Sequence, residues 1–119
     1  MMRSFENVTV PPQEGFAGRF RAAVAALIER FGAHEIWLFG SCARGNPRAD
    51  SDVDLVVVRP ADSSAPNPNY EARLVVSRIK GRLPMDILVV TPGQWRRQRA
   101  DPQGVFIDAV ERGVLLYAR

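Results

Sequence analysis

The sequence predicts an α/β (α+β) fold, a mixed β-sheet of three to four strands packed with helices. Three observations predict it. Phe16, Phe20, Val24, Leu27 and Phe31 recur at helical spacing, which makes one apolar stripe. Apolar runs at Glu35–Phe39, Ser51–Val58 and Pro84–Val90 have the length and composition of strands. A helical pattern from about Tyr70 to Lys80 separates the last two runs, so those strands should be parallel neighbours joined by a right-handed crossover. The link between the first two runs is too short for a crossover, so the first strand should run antiparallel to the second.

At 119 residues the chain is expected to form a single domain, 1–119, with one core. Its 46% apolar and 24% charged residues are those of an ordinary soluble globule. The net charge of +3 comes from 16 basic and 13 acidic residues, 15 of the basic ones arginine. That excess is small and scattered, so nucleic acid is not expected as the main ligand. The longest apolar run, Ala22–Ile28, is too short to cross a bilayer, and Met1–Glu6 lacks a signal-peptide core. Cys42 is the only cysteine, which excludes an intrachain disulfide. A cytoplasmic protein is expected.

In chain order, residues 1–11 read as a tail or a short edge strand, ending in Pro11-Pro12. The first helix should run from about Pro12 to Phe31, with Gly32 as its stop. Strand Glu35–Phe39 ends at Gly40, and Ser41–Gly45 reads as one helical turn followed by a turn at Asn46–Asp50. In the second strand, Leu55–Val58 is apolar without a break, so both its faces should be covered. Residues 60–69, crowded with Pro, Ser and Asn, read as an exposed loop suited to partner or substrate contacts. After the third strand, Thr91, Pro92 and Gln94 spell an N-cap, a first-turn proline and a capping box. Asp101-Pro102 repeats the cap signal for a last helix to Arg112, and Val114–Tyr117 reads as a final strand.

The chemistry concentrates between Gly40 and Leu55. Asp52 and Asp54 are two apart in a strand, so they should share a face. Paired hard oxygens suit Mg²⁺, which is commonly held by one or two carboxylates together with substrate phosphates. Gly40-Ser41 offers a backbone that can approach an anion closely, with a hydroxyl beside it. Asp86 opens the third strand, and a parallel pairing would bring it to the same end of the sheet. Helix-turn amides at Ser41–Gly45 would favour phosphate.

Gly40-Ser41, ten residues, then Asp52-x-Asp54, with Ala43-Arg44-Gly45 between, resembles the DNA polymerase β-like nucleotidyltransferase superfamily and its small prokaryotic minimal nucleotidyltransferase branch. The resemblance covers this core strongly, and Asp86 and Arg112–Tyr117 more loosely. It implies a polymerase β-like core and transfer of a nucleoside monophosphate from a nucleoside triphosphate to a hydroxyl. It further implies two Mg²⁺ ions held by Asp52, Asp54 and Asp86, which would be the catalytic residues, with ATP as substrate. Gly40 and Ser41 would then bind the β- and γ-phosphates. Arg44 contacts the nucleotide or pairs with Asp50. In that branch the usual partner is a HEPN-type RNase toxin, and the nucleotidyltransferase, acting as antitoxin, silences it by adding AMP to a tyrosine. An oligomer or hetero-oligomer with the toxin is the corresponding assembly.

Two other functions fit the residues: an antitoxin that neutralises by binding alone, and a small-molecule nucleotidyltransferase of the aminoglycoside type. The remaining polar and aromatic residues read as structural. Cys42 should fill space, Ser51 cap a turn, and His34 serve at the surface. Trp37, Trp95 and Tyr117 should pack, and Arg96, Arg97 and Arg99 should form a solvated face or dock an acidic partner.

Overall fold

The computed structural model describes residues 2–3, 8–62, 64, 66–101, 103 and 113–119. The chain order is β1 (Met2–Arg3), α1 (Phe16–Glu29), β2 (Glu35–Phe39), α2 (Gly40–Arg44) and β3 (Val53–Val58). α3 (Pro68–Ser77), β4 (Met85–Val90), α4 (Pro92–Ala100) and β5 (Val114–Ala118) follow. The expected last helix, to Arg112, falls outside the described residues apart from Gln103, which is in a turn. No helix among the described residues is long and apolar enough to cross a membrane.

The sheet runs in the order β1-β5-β2-β3-β4. β3 and β4 are parallel, whereas β2 is antiparallel to both β3 and β5. This is the mixed sheet the sequence predicts, with the two-residue β1 added as an edge strand against β5.

Alternation along β3 divides the interior in two. Val53, Leu55 and Val57 face α1 and α3 and join Phe16, Phe20, Val24, Leu27, Ile36, Leu38, Ala72 and Ile87 in the main core. Val56 and Val58 face the other way, where Phe39, Val90 and Trp95 of α4 cover them. That two-sided cover explains the unbroken apolar run. The Asp54 side of the sheet is the second, thinner face.

Local signals set the helix ends. α1 begins at Phe16, four residues later than expected, because Gly15 is left-handed at φ 76° and Gln13 turns back to bond Pro11 O. Its other end closes where Ala33 N–H donates to Leu27 O at 3.1 Å, with Gly32 at φ 80° permitting the bend. α3 begins two residues early, at Pro68, since Asn67 Oδ1 accepts from Tyr70 N–H at 3.2 Å. At α4 the capping box forms as read: Gln94 N–H donates to Thr91 Oγ1 at 3.2 Å and Thr91 N–H to Gln94 Oε1 at 2.9 Å.

The packing readings mostly hold. Cys42 and Tyr117 are buried, and Ser51 Oγ accepts from Arg48 N–H at 2.8 Å. His34 packs beside Arg119, whose Nη1 lies 2.6 Å from His34 Nε2. Arg96, Arg97 and Arg99 are exposed, as a solvated face requires, and the Arg99 guanidinium also lies 5.0 Å from the Trp37 ring centre and 5.9 Å from that of Trp95.

Removing the α4 cap tests this account. Thr91→Ala should cost about 1 kcal/mol in chemical denaturation, with an unchanged slope; an unaffected midpoint would mean that packing of Trp95 alone holds the helix.

Candidate functional site

Two backbone pairings build the site. In the β2–β3 pair Phe39 stands opposite Asp54, and in the β3–β4 pair Asp54 stands opposite Asp86. Directly opposed residues of neighbouring strands share a face, so Asp54 and Asp86 lie side by side on the thin face, next to the point where β2 turns into α2. Gly40 makes that turn at φ 72°, a conformation that side-chain-bearing residues rarely adopt. A Cβ at this position would come within 2.5 Å of Asp54 Oδ2. The glycine therefore lets the backbone lie against the carboxylate, and it is needed both for its angle and for its missing side chain.

Asp54 is half-buried, and burial pushes its carboxyl above the usual range. The negative charges of Asp86 and Asp52 push the same way, while Arg44 opposes them. Asp52 stands just before β3, exposed, rather than inside the strand. The strand starts at Val53, whose N–H donates to Pro84 O at 3.0 Å. Arg44 is exposed in the last turn of α2, and its charge bears on Asp54; Ser41 sits in the first turn and hydrogen-bonds toward Cys42. Burial and Asp54 both raise the Cys42 thiol, which keeps it a packing residue.

A cleft of about 210 Å³ opens beside the pair, lined by Phe39, Asp54, Val56, Arg73, Asp86 and Leu88 among others. Phe39 and Arg73 were not signalled as site residues by the sequence. Arg73 is reached only through tertiary packing, from α3 around the outer strand. Among the described residues no group of three or more His, Cys, Asp or Glu side chains is placed to hold a metal ion. The structure thus pairs Asp54 with Asp86 and leaves Asp52 beside them, within electrostatic reach. The donor set is nonetheless all oxygen, and the glycine cradle leaves Asp54 Oδ2 open on one side. Both features fit a hard divalent ion that substrate oxygens would complete.

A second hollow of about 330 Å³ lies at the far ends of β3 and β4, between loop residues Pro60, Ala61, Asp62 and Pro66 and the Thr91–Gln94 cap. It is remote from the carboxylate pair. Arg59 on its wall is already committed: its guanidinium stacks 3.9 Å above the Phe31 ring and bonds Phe31 O and Glu71.

A profile of the nucleotidyltransferase domain family matches residues 21–115. The chain belongs to that family. This bears out the resemblance carried by Gly40-Ser41 and Asp52-x-Asp54. Over 31 residues the chain is 58% identical to the protein adenylyltransferase MntA of Thermococcus cleftensis, a stretch that is 26% of this chain and 31% of MntA. The match thus spans less than a third of that relative.

Among solved structures, a nucleotidyltransferase candidate from Sulfolobus solfataricus superposes with a TM-score of 0.57 at 25% identity, over 87% of this chain and 81% of that one. A variant of the MntA–HpeT toxin–antitoxin pair superposes at 0.54 with 16% identity, over 83% of this chain and 73% of that one. A toxin–antitoxin structure with AMP-PNP superposes at 0.50 with 19% identity, over 86% and 73%. At those last two identities the likeness is one of fold.

Two substitutions test the geometry. Because the folded-state pKa of Asp54 lies above its unfolded value, its ionisation opposes folding at neutral pH, and that cost is relieved as pH falls through the folded pKa. Asp54→Asn should therefore raise the melting temperature without divalent ions at pH 7, with the gain shrinking toward acid. Mg²⁺ should then stabilise the wild type and leave the variant unmoved. Gly40→Ala should cost about 1–2 kcal/mol from its backbone angle alone and weaken binding of an ATP analogue by about tenfold in calorimetry. Wild-type affinity in that variant would contradict the close approach.

Proposed function

We propose that this chain is the nucleotidyltransferase member of a toxin–antitoxin pair, transferring AMP from ATP to a tyrosine hydroxyl of a partner HEPN-type RNase and so silencing it. The observation that carries the reading is the in-register pair Asp54 and Asp86, with the Gly40 turn laid against Asp54. Membership of the nucleotidyltransferase family and the MntA-like stretch support it.

In this reading the α2 amides and the Ser41 hydroxyl steady the terminal phosphates, and Arg44 adds positive charge beside them. Asp52, Asp54 and Asp86 would hold two Mg²⁺ ions, which would supply charge neutralisation on the triphosphate. Asp86 accepts the tyrosine proton at a carboxylate oxygen. The phenolic oxygen forms its bond to the α-phosphorus, the bond to the bridging oxygen breaks, and pyrophosphate leaves with that electron pair. Such a transfer depends on positioning and charge more than on a protein nucleophile, and none is required here. The second reading, an antitoxin that works by binding alone, would be favoured by loss of one of these aspartates, and all three are present.

Purified chain, the protein encoded in the adjoining open reading frame, Mg²⁺ and α-labelled ATP separate the two. Label should appear on a tyrosine of the neighbour and fall by about a thousandfold with Asp52→Ala plus Asp54→Ala. A stable complex that never acquires label would leave binding alone as the function.

A further inference from the structure

In the proposed transfer the attacking hydroxyl and the departing pyrophosphate stand in line on opposite sides of the α-phosphorus. The strand order β2-β3-β4 decides which side is which. The Gly40 turn, at the end of β2, flanks Asp54 on one side, and Asp86 of β4 flanks it on the other. With the terminal phosphates at Gly40 and Ser41, the acceptor hydroxyl comes in over β4, beside Asp86.

Residues two apart on a strand share a face and are separated by about 6.6 Å. Asp86, Leu88 and Val90 therefore form one row on the thin face. Val90 is buried with Trp95, and Val56, which stands opposite Leu88, belongs to the same buried cluster. Leu88 is 37% exposed, and among the described strand residues it is the large hydrophobic side chain left open. The cover that α4 gives the sheet thus ends between Val90 and Leu88. The first uncovered apolar side chain is the neighbour of Asp86.

Phe39, Val56 and Leu88 line the cleft of about 210 Å³ that also holds Asp54 and Asp86. Arg73 lines it too, and among the described residues none bonds or stacks on its guanidinium. An open leucine and an uncommitted guanidinium beside a carboxylate suit a flat ring that carries one hydroxyl. The ring covers the leucine, its face takes the guanidinium, and its hydroxyl reaches the carboxylate. A serine or threonine hydroxyl stands next to its own backbone, so it would bring polar peptide groups against Leu88 instead.

We propose that Leu88, with Arg73, is the specificity-determining wall of the acceptor side, receiving the ring of an aromatic hydroxyl and so selecting a phenol over an aliphatic alcohol. This rests on the nucleotidyltransferase reading of the site. The phenolic oxygen meets Asp86 while the ring lies along β4 over Leu88, one same-face step away. Discrimination then comes from ring burial that an aliphatic alcohol cannot supply. The adenine ring of the nucleotide is the competing occupant of this wall.

The first arm of the test uses the full chain with Mg²⁺ and α,β-methylene ATP, whose α–β bridge resists cleavage. Para-cresol, the tyrosine side chain as a free phenol, should move the Leu88 methyl signals upfield and saturably, because a ring stacked on a methyl group shields it. Ethanol should leave them in place. The second arm uses α-labelled ATP and the protein encoded in the adjoining open reading frame. Leu88→Gln should raise the KM for that protein by about tenfold or more and change the affinity for the analogue by less than about twofold. Leu88→Met, which keeps an apolar wall, should hold the KM within about threefold of wild type. Leu88 signals unmoved by para-cresol, the same shift from the analogue alone, or an unchanged KM in Leu88→Gln overturns the assignment of this wall. A para-cresol shift at Leu88 with no label on the neighbour overturns the transferase reading alone.

Discussion

Side chains alternate along a strand, so the site depends on a single register. Asp54 pairs with Asp86 because Leu55 pairs with Ile87 and Val57 with Val89. Leu55, Val57 and Ile87 are buried against α1 and α3, and slipping either strand by one residue would turn them toward the thin face and send a carboxylate into the core. The apolar face thus holds in place two like charges that repel each other. The core stabilises the register, and the register creates an anionic site.

The thin face is arranged around the same pair. Trp95 and Phe39 cover Val56, Val58 and Val90, and Phe39 also borders the cleft beside Asp54, so the cleft combines apolar and acidic walls. Gly40 closes the rim from the β2 side, where any side chain would collide with Asp54. Partial burial, with the charges of Asp86 and Asp52 beside it, raises the Asp54 pKa.

Much of this was legible in the sequence because it is written in local signals. The Thr91 capping box, the strand–helix–strand order and the short β2–β3 link lead directly to the observed caps and strand directions. The start of α3 was missed because Asn67-Pro68 sits in a stretch that reads as loop, although an N-cap followed by proline was there to be read. Asp52 was placed inside a strand that begins one residue after it. The roles of Arg59, stacked on Phe31, and Arg99, stacked on Trp37, left no sequence trace, since an arginine reads as solvated until its aromatic partner is known. Arg73 is of the same kind: only the packing of α3 against β4 brings it to the cleft.

Paramagnetic broadening of backbone amide signals by trace Mn²⁺ tests the central claim most directly, since it maps a bound divalent ion without requiring any partner. The account predicts selective loss of signals at Gly40–Cys42, Asp52–Leu55 and Asp86–Leu88, with those at the far end of the sheet, around Arg59 and Thr91, retained. Broadening centred on Asp62, or at the β3 carboxylates without those of β4, would contradict it.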